Sequence, residues 1–189
     1  MGSISGNDLK ANYSERGYYF PIPVLAEEEV QYFRRQYMDF YEYHREQLSK
    51  LSPKEHFKIL SETHTSLHWV YRLALHPKVL DAVSNILGPN LMVWGSRWFT
   101  KMPGDKTYIS WHQDATYWGL HPPDVTTAWI ALSESIAENG CMRVVPGTHK
   151  HGTLPQTETY APDNALSRGQ EIAVAVDESQ AVNISLRPG

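Results

Sequence analysis

The texture of the chain changes at Gly88-Pro89. Before that dipeptide, apolar side chains recur at helical spacing. After it they come in short runs rich in Val, Trp and Phe, separated by Pro and Gly turn signals. Short strands behind an N-terminal helical layer point to an antiparallel sandwich or barrel.

Within the first half, Glu27-Glu28-Glu29 places negative charge where a helix dipole favours it. Val30, Phe33, Tyr37, Phe40, His44 and Leu48 follow on one face, and Pro53 ends or interrupts the segment. A second helix is expected from Pro77, carrying Val79, Leu80, Val83, Ile86 and Leu87, with its stop at Gly88-Pro89. In the second half, strands are expected over 91–100, 108–114, 125–132, 142–145, 171–176 and 181–186. The segment 154–169, with two prolines and several polar residues, reads as a long loop of the kind that covers a site.

Composition narrows the function classes. A chain of 189 residues, 41% hydrophobic, suits one domain, 1–88 mostly helical and 89–189 mostly strand. With 17 basic against 21 acidic residues there is no basic footprint for nucleic acid and no polybasic membrane patch. The lone Cys141 excludes an internal disulfide framework or a Cys-rich zinc site. The opening Met1 to Gly6 is polar, with Gly where a myristoylation signal has Ser or Thr, and no apolar run approaches transmembrane length. A cytoplasmic protein is the expectation. Oligomeric state has no signature here.

Nine histidines are the unusual count. His112 and Asp114 stand two apart on an expected strand, so their side chains project to the same side. A neutral imidazole and a carboxylate so placed, with one more histidine, make the 2-His-1-carboxylate triad that holds Fe(II) and leaves positions open. The bare pair fits a surface strand with two polar residues equally well, since chance alone gives about 0.4 such pairs in a chain of this composition. His149 and His151 after Pro146-Gly147 suit a loop or capping role better than ligation. Trp111, Tyr117 and Trp118 suit either core or substrate wall, and Cys141 a buried structural position.

The surroundings are more specific than the pair. Tyr108-Ile-Ser-Trp-His-Gln-Asp-Ala-Thr-Tyr-Trp-Gly119, Thr127-Ala-Trp-Ile-Ala-Leu132 and Glu138-Asn-Gly-Cys-Met-Arg-Val-Val-Pro-Gly-Thr-His-Lys150 stand in that order. This run resembles the phytanoyl-CoA dioxygenase family of Fe(II)/2-oxoglutarate oxygenases, over about Asp8 to the C-terminus and most strongly from Arg97 to His151. The resemblance implies a double-stranded β-helix, the cupin-like jelly roll, with helices packed outside it. It implies Fe(II) held by His112, Asp114 and a distal histidine, with 2-oxoglutarate as co-substrate. It places Trp129 and the strand of Arg97 at the 2-oxoglutarate pocket. The implied reaction consumes O₂ and 2-oxoglutarate and hydroxylates an unactivated C–H bond of a small organic or acyl substrate. Because related halogenases carry a small residue at the carboxylate position, Asp114 favours hydroxylation over halogenation.

One part of the family pattern is missing. Gln180 to Gly189 reads as a strand running into a Pro-Gly turn, after which the family continues into a strand with the distal histidine and then an arginine. Arg187 precedes that position and is not assigned to 2-oxoglutarate. The expectation is therefore a jelly roll lacking its last strands, C-terminally incomplete. The alternatives are a non-catalytic jelly-roll binding module or a truncated family member without a working iron site.

Overall fold

The N-terminal layer is built on local signals. The computed structural model describes residues 6–189, so the reading of the polar opening falls outside it at residues 1–5. Five helices come first: α1 (Gly6–Arg16), α2 (Glu27–Leu48), α3 (Pro53–Ile59), α4 (His68–Ala74) and α5 (Pro77–Leu87). At the start of α2 the Ala26 N–H donates to Glu29 Oε2 at 2.8 Å, so an acidic side chain satisfies an orphan donor. Helix α2 then buries Val30, Phe33, Tyr37 and Leu48, as its periodicity predicts. Helix α5 also has the expected bounds. His76 caps it, its Nδ1 accepting from the Lys78 N–H at 3.3 Å, and Gly88 ends it at φ 91°.

Pro53 does not itself end α2, which stops at Leu48 with Ser49 as its C-cap. It occupies the first turn of α3, where its missing N–H costs nothing. Ser52 caps that helix, accepting from the Glu55 N–H while Glu55 Oε2 accepts the Ser52 N–H at 2.8 Å.

The core lies between these helices and the segment after Gly88. Val24, Leu25, Val30, Phe33, Tyr37, Trp69, Val70, Leu73 and Val79 are buried together, with Trp98, Ile130 and Leu132 packed on them. Trp98 joins the two halves. It stacks on Tyr37 at 4.6 Å between ring centroids, lies 5.2 Å from Trp69, and donates its Nε1–H to Thr63 Oγ1 at 2.9 Å.

The second half is more irregular than expected. Its regular strands are β1 (Arg143–Val144), β2 (Gln156–Glu158), β3 (Gln170–Ile172) and β4 (Val182–Asn183). β1 pairs antiparallel with β4, Arg143 opposite Asn183; β2 pairs antiparallel with β3, Gln156 opposite Ile172 and Glu158 opposite Gln170. Single bridges add Ser61 to Arg97, Tyr108 to Asn164 and Ser135 to Leu186. The expected strands over 91–100, 108–114 and 125–132 are thus corrected: they touch a neighbour at one bridge at most. Those over 142–145, 171–176 and 181–186 shrink to two or three paired residues. Val, Trp and Phe suit a pleated surface, but a strand exists only where a partner chain lies alongside. Met92, Trp94 and Phe99 are accordingly solvent-exposed. The loop expected over 154–169 is also corrected, since it contains β2 and closes a hairpin onto β3.

The segment 182–189 sews the layers together. Ile184 N–H donates to the Met142 carbonyl, Leu186 exchanges bonds with Ser135, and Gly189 N–H donates to the Ala131 carbonyl at 2.9 Å. The Gly189 carbonyl accepts from Val24 and Leu25 at the edge of the helical core. No helix among the described residues is long and apolar enough to cross a membrane.

Candidate metal centre

His112 and Asp114 meet at a small cavity. The backbone around them is anchored on both sides: Tyr108 N–H donates to the Asp163 carbonyl, Ala165 N–H to the Tyr108 carbonyl, and Ile172 N–H to the Trp111 carbonyl. The segment leaves extended conformation at Asp114, which opens a single helical turn through Tyr117. Between the pair, the Gln113 side chain bonds the backbone of the neighbouring loop, donating to the Gly152 carbonyl at 3.0 Å and accepting from the Leu154 N–H at 2.8 Å. The pair thereby shares a side, as the two-residue spacing predicts, although the strand itself is not formed.

The geometry suits a divalent cation. His112 Nδ1 donates to the Ser110 carbonyl at 2.7 Å, which orients the ring and directs Nε2 to Asp114 Oδ1, 3.2 Å away. Two donors on neighbouring vertices of a metal with bonds of about 2.1 Å lie about 3 Å apart. The other carboxylate oxygen, Oδ2, accepts from Thr127 Oγ1 at 3.1 Å. A neutral imidazole nitrogen and a carboxylate are the donor types Fe(II) takes.

Burial lowers the His112 pKa, but its hydrogen bonds to Asp114 and to the Ser110 carbonyl, together with the Asp114 charge, outweigh it, so His112 titrates above its ordinary value. Burial likewise raises Asp114, and the His112 hydrogen bond and charge, with Thr127 and Arg97, overcome it and hold the carboxyl below its ordinary value. Without a metal the two form an ion pair between pH 3.8 and 6.5; a metal would replace the shared proton.

A cavity of about 150 Å³ opens on the pair, with walls from Arg97, Gln113, Trp118, Leu166, Ser167, Arg168 and Gln170. Arg97 is therefore at the site, and its charge acts on both His112 and Asp114. Trp129 is not among the cavity residues; its ring packs at 6.4 Å from Phe99, on the segment that carries Arg97. Trp118 lines the wall. Trp111 turns away to the surface, where its Nε1–H meets Glu178 at 3.3 Å under the Arg143 guanidinium. Cys141 is buried, as read. His149 donates to the Ser14 carbonyl at 3.0 Å, tying its turn to α1 rather than to the site. Among the described residues no group of three or more His, Cys, Asp or Glu is placed to hold a metal.

Sequence reasoning missed Ser110, Thr127 and Asn164. Asn164 is fully buried; its amide donates to Ser110 Oγ at 2.8 Å and its carbonyl accepts from Leu166 N–H at 3.0 Å. Ser110 Oγ in turn donates to the Gln170 carbonyl. The residue whose carbonyl orients His112 is thus clamped to the cavity wall. Only the positions of Ser110 and Thr127 within the quoted motifs hinted at any of these contacts.

Comparison with known proteins agrees in kind. The family model Phytanoyl-CoA dioxygenase (PhyH) matches residues 13–189. A probable phytanoyl-CoA dioxygenase of Caenorhabditis elegans is 27% identical over 174 residues, 82% of this chain and 56% of that protein. A peroxisomal phytanoyl-CoA dioxygenase of Homo sapiens is 36% identical over 90 residues, 46% of this chain and 27% of its own. Among solved structures, the non-heme monooxygenase ThoJ in its apo form matches with a TM-score of 0.74 at 30% identity, covering 96% of this chain and 65% of that one. A ThoJ nickel complex matches with a TM-score of 0.66 at 26% identity, covering 96% and 64%. The chain spans just over half the length of the nematode relative and about a quarter of the human one.

Proposed function

The chain belongs to the phytanoyl-CoA dioxygenase family, and from that premise we propose that it carries the metal- and substrate-binding part of a non-haem Fe(II)/2-oxoglutarate-dependent dioxygenase on a jelly-roll framework. The proposed reaction takes R–H, O₂ and 2-oxoglutarate to R–OH, succinate and CO₂, with R–H a small organic or acyl substrate. The observation that carries the reading is the 3.2 Å approach of His112 Nε2 and Asp114 Oδ1 on the wall of a polar cavity. His112 and Asp114 would hold the iron, which when bound supplies the redox chemistry of O₂ activation and open positions for the co-substrate.

The rest falls to the protein. The Ser110 carbonyl keeps the proton of the imidazole on Nδ1, so that Nε2 offers its lone pair. Thr127 holds the second oxygen of Asp114, limiting the carboxylate to one free donor atom. Arg97 supplies positive charge beside the pair, where an anionic co-substrate is stabilised. Trp129 packs against Phe99 at 6.4 Å and so supports the segment that carries Arg97.

The test is succinate release with Fe(II), 2-oxoglutarate and O₂. His112→Ala and Asp114→Ala should each abolish it, and activity retained in either sinks the assignment of these two residues. A non-catalytic binding module is the second reading, favoured by the absence of a third ligand among the described residues. No succinate release at saturating iron, in this chain and in a longer form of it, would select that reading.

A further inference from the structure

The cavity that holds His112 and Asp114 carries a second cation to which the reading above gives no role. Arg168 lines it beside Leu166, Ser167 and Gln170. Its Nη1 lies 2.7 Å from Glu158 Oε1, and the other Glu158 oxygen accepts from the Tyr160 hydroxyl at 2.6 Å. The backbone of the hairpin does the aiming. Glu158 stands opposite Gln170 in the β2–β3 register. Arg168 N–H donates to Gln170 Oε1 at 3.1 Å, and its carbonyl accepts from Tyr160 N–H at 3.0 Å. Tyr160 itself takes a left-handed φ of 52°, unusual for a residue with a side chain. Lys54 of α3 donates to the Tyr160 carbonyl at 3.3 Å. The Arg168 side chain is 46% exposed and that of Glu158 32%, so the ion pair itself adds little stability; the hairpin hydrogen bonds hold the backbone from which the guanidinium reaches the cavity wall.

Two cations therefore line one cavity at different places. Arg97 reaches it from the segment after the helical layer, where it bridges Ser61, and its charge acts on both His112 and Asp114. Arg168 reaches it from the β2–β3 hairpin. Its planar fork of N–H donors matches carboxylate and phosphate oxygens. Trp118 and Leu166 are the apolar surfaces near it, enough to bear on a short carbon skeleton.

We infer that Arg168 is a specificity-determining residue that takes an anionic group, carboxylate or phosphate, of the substrate, with Glu158 and Tyr160 holding its guanidinium in place. The inference rests on the proposed reading of this cavity as the reaction site. Before binding, Glu158 balances the Arg168 charge; the ligand anion joins or replaces it.

The test is calorimetric titration of the metal-free chain at low salt, with benzoate as the probe anion and benzamide as its neutral counterpart. The wild type should bind benzoate saturably and benzamide at least about tenfold more weakly. Arg168→Gln should weaken benzoate about tenfold, to the benzamide level. Arg168→Lys, which keeps the charge without the fork and serves if the Gln variant fails to fold, should recover part of the affinity. Glu158→Gln should leave benzoate binding equal or tighter, because a competing negative charge is gone. Absence of saturable benzoate binding in the wild type, or unchanged binding in Arg168→Gln, overturns the inference. So does an equal loss in Glu158→Gln and Arg168→Gln, the result expected of a merely structural ion pair. 2-Oxoglutarate titrated alongside separates the sources of the anion: a loss confined to it would make Arg168 a co-substrate residue and overturn the substrate role. Because no metal is present, these outcomes are independent of whether His112 and Asp114 support turnover.

Discussion

Asn164 and Ser110, 54 positions apart, are joined by a 2.8 Å hydrogen bond between a side chain with no exposed surface and the hydroxyl of the residue whose carbonyl orients His112. That bond makes the ligand segment and the cavity wall one unit. Asn164→Ala would leave the buried Leu166 N–H without its partner and Ser110 Oγ with only its bond to the Gln170 carbonyl. The expected cost is about 1–3 kcal/mol of folding free energy. Urea denaturation checks it, and a cost under about 0.5 kcal/mol would show that the network contributes no more than an ordinary surface contact.

In the proposed metal site Thr127 would act on the metal through Asp114. Its hydroxyl donates to Oδ2 at 3.1 Å, while Oδ1 lies toward His112. Thr127→Val keeps the shape and removes the donor. Removing an outer partner of a ligand typically weakens metal binding about 10–100-fold. Titration of Ni(II) or Fe(II) into the wild type and the variant should show a loss at the low end of that range, since one hydrogen bond is lost and both ligands stay. Equal affinities would mean that Asp114 is oriented by other contacts.

Both members of the His112–Asp114 pair shift in the direction that stabilises the ion pair, and this fixes the pH dependence of the metal-free chain. His112 titrates above its ordinary 6.5, so its contribution is fully present below 6.5 and is lost as pH rises through the raised value. Asp114 titrates below its ordinary 3.8, so its contribution is present above 3.8 and is lost as pH falls through the lowered value. The pair therefore stabilises the fold most between these two reference values. His112→Gln should lower the melting temperature more at about pH 5 than at about pH 8. Metal affinity should run the other way, rising with pH as the proton leaves Nε2. A His112→Gln effect that is equal at the two pH values would show that the pair is not ionised as described.

What was legible in the chain follows from how local each signal is. Helices α2 and α5 are written in their own residues: the acidic start at Glu27, the apolar face through Leu48, Pro77 and Gly88. Helix α3 is equally local, but its Pro53 reads as a stop unless the capping pair Ser52 and Glu55 is noticed. The segment 91–100 has strand composition and forms one bridge, because what makes a strand is a neighbour that composition cannot supply. At the site, His112 and Asp114 were readable from spacing and motif. Asn164, Thr127 and Arg168 were not, since each acquires its role from a contact with a distant segment or a cavity wall.

Trp98 is the residue on which the helical layer and the site-bearing half depend jointly. It stacks on Tyr37, packs at a tilt against Trp69 and bonds Thr63, while Arg97 beside it lines the cavity. Trp98→Ala removes the rings' shared partner and leaves Thr63 Oγ1 unpaired in a buried residue. A loss of about 3 kcal/mol or more is expected, the usual result of truncating a packed aromatic. Met92→Ala, on the same segment but 75% exposed, should change stability by less than about 0.5 kcal/mol. Parallel denaturation of the two variants checks this. If Trp98→Ala costs no more than Met92→Ala, the Trp98 contacts do not hold the two halves together energetically, and the placement of Arg97 at the cavity rests on the Ser61 bridge, the Phe99–Trp129 contact and the cavity wall.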